Sequence, residues 1–117
     1  YSLGGLFSLY AAVNTDLFGT VLSCSSSLWY PGFLDYLKEH PFKATHPKLY
    51  MSVGDLEGTT ATNLTADQTQ NTLALKDWIE PRFQAGDFQF TLEEGNHGTN
   101  ISRRVERAVE WVEENSK

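Results

Sequence analysis

The chain has 117 residues, the length of one domain rather than two. Hydrophobic residues make up 40% and charged residues 21%, a globular rather than a disordered composition. Nine Lys and Arg against fifteen Asp and Glu leave a net charge of −6, which argues against a nucleic-acid partner, and no apolar run approaches the ~20 residues of a membrane-spanning helix.

In chain order, Gly4 to Val13 carries Leu6, Leu9, Tyr10 and Val13 at helical spacing and predicts a buried helix ending near Asn14. Thr20 to Ser26 reads as a short buried strand. Pro31 is placed to open a helix carrying Phe33, Leu34 and Leu37, which Pro41 stops. Lys48 to Val53 is a second strand, closed by Gly54. Gly58 to Gln70, rich in Thr and Asn, reads as a loop leading into a helix whose inner stripe is Thr72, Leu75, Ile79 and Phe83. Phe88 to Leu92 alternates apolar and polar residues, the pattern of a strand near a sheet edge. A last helix, capped by Asn100, has Ile101, Val105, Ala108 and Val112 inside and Glu106, Glu110 and Glu113 outside. On that helix Arg103, Arg104 and Arg107, interleaved with acids, read as a solvated face. Strands alternating with helices specify an α/β fold, an open parallel sheet with helices on both faces.

The first residues carry the most chemistry. Tyr1-Ser2-Leu3-Gly4-Gly5 runs straight into a helix and matches the back half of G-x-S-x-G, the turn that presents a nucleophilic serine. Bulk is excluded two positions from such a serine, which Gly4 answers, and Gly5 lets the helix pack closely. The N–H of Leu3, next to Ser2, is then the natural oxyanion donor. Because the chain opens inside this motif, it is expected to be the C-terminal part of a longer catalytic domain whose upstream half is absent.

A serine needs a base. His40 and His46 sit beside prolines in a polar loop and read as solvated, whereas His97, in Glu94-Gly95-Asn96-His97-Gly98, follows the third strand. Loops at the carboxyl ends of parallel strands are where open α/β sheets build their sites. A carboxylate must fix the imidazole tautomer. Val53-Gly54-Asp55-Leu56-Glu57 offers Glu57 as first choice and Asp55 as runner-up, and spacing does not decide between them.

These segments, together with Leu6-Phe7-Ser8-Leu9-Tyr10-Ala11 and Ser25-Ser26-Ser27-Leu28-Trp29-Tyr30, resemble the C-terminal half of an esterase family in the α/β-hydrolase superfamily, the one holding esterase-D-like and siderophore (enterobactin-type) esterases. The resemblance implies carboxylic-ester hydrolysis by Ser2 and His97 with Glu57 or Asp55 as the acid, although some such esterases work with a Ser–His pair alone. It also implies that Trp29 and Tyr30 lie near the substrate pocket, though their place after a strand end suits packing against the fold equally, and that a second oxyanion donor comes from an upstream loop; no cofactor is expected. The same residues would serve an acyltransferase, and a piece lacking its upstream half is expected to be inactive by itself, or a folding or interaction module. Its first strand would expose an unpaired edge, so self-association is expected.

Smaller signals remain. Asn63-Leu64-Thr65 and Asn100-Ile101-Ser102 match the glycosylation sequon. Cys24, the single cysteine, excludes an internal disulfide, reads as a buried inert thiol and leans toward the cytoplasm without excluding secretion. Cysteine and histidine are too few for a clustered metal site.

Overall fold

A computed structural model describes residues 1–58 and 64–115. Asn63, and with it the first sequon, lies outside the described residues. The elements are α1 (Ser2–Asn14), β1 (Thr20–Cys24), α2 (Phe33–Glu39), β2 (Lys48–Gly54), α3 (Gln68–Ile79), β3 (Phe88–Glu93) and α4 (Ile101–Glu114), with short 3-10 turns at Leu64–Asp67 and Glu80–Arg82. The three strands form one sheet in the order β1-β2-β3, and both pairings are parallel. This is the α/β architecture that the alternation of strand and helix requires.

Side chains alternate across a strand, so β2, buried along nearly its whole length, feeds two cores. Leu49 and Met51 join Leu9, Ala12 and Val13 of α1, Phe33 and Leu37 of α2, and Leu75 and Ile79 of α3. Tyr50 points the other way, into a smaller cluster with Cys24 and Ala108, flanked by Leu22 and Trp111. Helices therefore cover both faces, α1 to α3 on one and α4 on the other. Cys24 is buried, and burial pushes its thiol above the usual cysteine range.

Several boundaries and faces differ from expectation. Helix α2 begins two residues after Pro31, because Gly32 at its N-cap adopts φ 79, a left-handed conformation that the preceding proline cannot adopt. Asn100 holds the N-cap position of α4 with φ 51, yet its side chain makes no capping bond. The buried residues of α4 are Arg104 and Ala108, with Trp111 half-buried on the same stripe, rather than Ile101, Val105, Ala108 and Val112; Ile101, Val105 and Val109 are exposed and Val112 is half-buried. Both stripes have helical spacing, and α4 turns so that an arginine goes inside. Leu92, although it continues the alternation of β3, is exposed as well.

Among the described residues, β1 pairs on one side only, with β2. Along its other side runs a groove lined by Phe7, Ala11, Phe18 and Leu22, and Phe7 is 68% exposed. An open strand edge between apolar walls is a template for another strand. The 117-residue polypeptide by itself is accordingly expected to associate along β1. Sedimentation velocity should show mass rising with concentration, and one monomeric species across the micromolar range would contradict this.

Candidate active site

The amino end of α1 is strained where the sequence suggested. Ser2 has φ 55, a left-handed conformation that costs a residue with a side chain on the order of 1–3 kcal/mol. The turn is held by its surroundings: the Ser27 N–H donates to the Ser2 carbonyl at 3.1 Å, and Gly5 N–H to the Tyr1 carbonyl at 3.1 Å. A Cβ on Gly5 would stand 2.0 Å from Ser26 Oγ, so the helix meets the loop after β1 at a distance only glycine permits. Gly4 differs from expectation: a Cβ there would meet nothing within 4 Å among the described residues. Leu3 sits in the first helical turn, where backbone N–H groups have no acceptor within the helix, and it lines the same cleft as Ser2.

The parallel register brings the carboxyl ends of all three strands to one rim, with Ser25 just after β1, Glu57 after β2 and His97 after β3. On that rim His97 Nε2 lies 3.2 Å from Ser2 Oγ, and His97 Nδ1 lies 2.6 Å from Glu57 Oε1. A carboxylate accepts only, so Nδ1 carries a proton, and in the neutral ring Nε2 then faces the serine as an acceptor. Tyr1 braces the same loop: its hydroxyl donates to the His97 carbonyl and its ring tilts against the imidazole at 5.3 Å. His97 is part open to solvent, with 47% of its side chain exposed, whereas the Glu57 side chain is fully enclosed.

Of the two candidate acids, Glu57 therefore meets the imidazole, while Asp55 is exposed and accepts the Gly95 N–H at 2.9 Å. Asp55 thus shapes the histidine loop without touching the ring. The second Glu57 oxygen, Oε2, accepts from Ser25 Oγ at 2.6 Å, Gly54 N at 2.5 Å and Arg104 Nη1 at 3.3 Å.

Arg104 corrects the reading of the arginine cluster as a solvated face. It is 1% exposed, whereas Arg103 does lie outside, paired with Glu106 and Glu110. Its Nη2 donates to the carbonyls of Glu94 at 3.1 Å and Asn96 at 2.8 Å. The signal in the sequence was spacing: Arg104, Ala108 and Trp111 fall on one helical stripe. Gln68 is a second buried polar residue that the sequence did not single out; its Nε2 donates to the carbonyls of Ser25 and Ser26.

Ser2, Leu3, Trp29, Gln68 and His97 border a cleft of about 460 Å³. Tyr30, grouped with Trp29 in the sequence, lies outside it, in an adjoining apolar groove with Leu6, Phe7 and Tyr10. His46 is exposed. His40 is half-buried rather than solvated, stacked on Tyr36 at 4.0 Å with Nδ1 2.8 Å from the Tyr36 carbonyl. Neither histidine borders the cleft.

No family model matches the chain. The protein YbbA of Bacillus subtilis, itself uncharacterized, is 24% identical over 115 residues, which are 95% of this chain and 46% of YbbA. The chain thus spans about half the length of the curated relative it matches. Among solved structures, the siderophore hydrolase EstA from Aspergillus nidulans is 20% identical with a TM-score of 0.75 over 100% of this chain and 48% of its own. EstB of the same organism gives 22% and 0.71, covering 92% and 45%. An IroE-like serine hydrolase from Shewanella oneidensis gives 19% and 0.70, covering 97% and 37%. At these identities the likeness shows a shared fold, the one that the sequence resemblance implied.

The closeness of the rim gives a test. A Cβ on Gly54 would lie 2.3 Å from the Gly95 carbonyl and 2.8 Å from Arg104 Nη2. Gly54→Ala should therefore push the histidine loop away and destabilise the fold by about 1–3 kcal/mol. Chemical denaturation measures this, and an unchanged midpoint would show that the loop does not press on Gly54.

Proposed function

We propose that the chain carries the catalytic half of a serine hydrolase acting on carboxylic esters. The observation that carries this reading is the unbroken series from the Ser2 hydroxyl through the His97 ring to the enclosed Glu57 carboxylate, at 3.2 Å and 2.6 Å. A series of this kind activates a hydroxyl that is otherwise a weak nucleophile. The strained turn under Ser2 supports the same reading, since such strain gathers where a side chain must be presented outward. Two proteins of the same fold are siderophore hydrolases by name, which supports a siderophore-type or other small acyl ester as substrate.

In this mechanism Ser2 Oγ attacks the ester carbonyl while its proton passes to His97 Nε2. Glu57 stabilises the imidazolium and keeps the ring turned toward the serine. Negative charge on the former carbonyl oxygen falls to the Leu3 N–H at the amino end of α1. His97 then gives its proton to the departing alcohol, leaving an acyl-Ser2 ester. Water, deprotonated by the same ring, attacks that ester; as the acyl bond to Ser2 Oγ breaks, His97 returns the proton to Ser2 Oγ and the acid is released. Trp29 forms a wall of the cleft against which the substrate packs.

Short-chain aryl esters and a catechol-type trilactone, offered to the intact protein, test the assignment. Ser2→Ala should abolish turnover and labelling by a fluorophosphonate; equal turnover by both proteins would end the nucleophile assignment. Glu57→Gln should lower kcat on the order of 10⁴-fold by favouring the wrong tautomer. Asp55→Asn should cost less than about tenfold, since it alters a single loop contact. A reversed order of these two variants would move the acid to Asp55.

A further inference from the structure

Arg104 is a full charge with almost no water, on a helix where Arg103 faces outward and Arg107 is half-buried beside Glu93 at 3.7 Å. Burying a guanidinium and a carboxylate together is often no more stabilising than packing apolar residues of the same volume. Stability alone is therefore a weak account of Arg104, and its contacts suggest another. One edge of the guanidinium, through Nη1, meets Glu57 Oε2 and Ser25 Oγ, both at 3.3 Å. The neighbouring amino group, Nη2, meets the carbonyls of Glu94 and Asn96, the residues on either side of Gly95. His97 follows directly. The guanidinium is flat and stiff, so groups bound to its two ends are held at a fixed separation.

We propose that Arg104 is a positioning residue that sets the histidine loop against the acid, holding His97 Nδ1 on Glu57 and Nε2 toward Ser2. This inference rests on the hydrolase reading for its catalytic consequence, although the placement it describes does not. The loop is also tied to the sheet rim by Asp55, which holds the Gly95 N–H, by the Leu56 N–H, which donates to the Gly95 carbonyl at 2.9 Å, and by Tyr1, which holds the His97 carbonyl. Gly54 keeps the space open, since a Cβ there would strike both the Gly95 carbonyl and Arg104 Nη2. Among these side chains, Arg104 is the one that hydrogen-bonds both the acid and the loop. A misplacement of ~1 Å at a reacting group can cost roughly 10²-fold in rate.

The test compares wild type, Arg104→Met and Arg104→Lys in the intact protein by two readouts. One is the rate of fluorophosphonate labelling at Ser2. The other is the far-downfield proton resonance of His97 Nδ1–H, which appears when that proton is held on a carboxylate and needs no catalysis. Arg104→Met should stay folded by circular dichroism, lose or broaden the resonance, and label roughly 10²-fold more slowly. Arg104→Lys keeps the charge but cannot span both partners, and should fall between the two. Wild-type labelling and an unaltered resonance in a folded Arg104→Met protein would reduce Arg104 to a structural residue and overturn the proposal. Should that variant not fold, Arg104→Lys decides: slower labelling supports the proposal, and wild-type values on both readouts overturn it. Absence of labelling at Ser2 in wild type would refute the hydrolase reading, and the resonance alone would then decide the role of Arg104.

Discussion

The Glu57 carboxylate is the constraint around which the rim is organised. A carboxylate enclosed by protein is costly unless its lone pairs are filled and its charge is matched. Here one oxygen takes His97 Nδ1–H, and the other takes Ser25 Oγ–H, the Gly54 N–H and Arg104. Those four donors come from the segments after β1, at the end of β2 and after β3, and from α4. Satisfying one side chain therefore requires three strand ends and the helix on the far face to be in register together. Fold and site are in this sense one structure: a shift in any of the four segments strips a donor from a buried charge.

Further groups hold the same arrangement from below. Gln68, at the start of α3, donates to the carbonyls of Ser25 and Ser26, and Thr69 Oγ1 donates to the carbonyls of Gly54 at 2.7 Å and Glu57 at 3.0 Å. Buried polar side chains at a helix start would be poor choices for a core made only of apolar contacts. They are used here because the loops that present Ser25 and Glu57 bring bare backbone carbonyls inside, and such groups need donors. Ser25 itself is bent into the left-handed region, with φ 47, so strain sits on both sides of the acid–base pair.

Much of this was legible in the residues, for reasons that can be named. Element order followed from the change between helical and alternating periodicity, and the serine turn from glycines at fixed spacing. The strand-end rule singled out the segments of His97 and Glu57. What stayed hidden depends on direction. Spacing placed Asp55 and Glu57 in one loop but not which of them turns inward. Charge suggested that Arg104 lies outside, because a lone arginine does; only the acid it meets makes an inward position favourable. The phase of α4 failed for the same reason, since the apolar stripe through Ile101 and Val105 looked better until the arginine turned in. Tyr30 follows Trp29 in sequence but lies beyond the rim of the cleft.

A crystal structure of the intact protein after reaction with a fluorophosphonate would show the serine, histidine and acid at work together. Phosphorus should be bonded to Ser2 Oγ, with the phosphonyl oxygen accepting from the Leu3 N–H and His97 still bridging from the adduct to Glu57. An adduct on another residue, or an imidazole turned out of the rim with Glu57 satisfied by other donors, would contradict this arrangement.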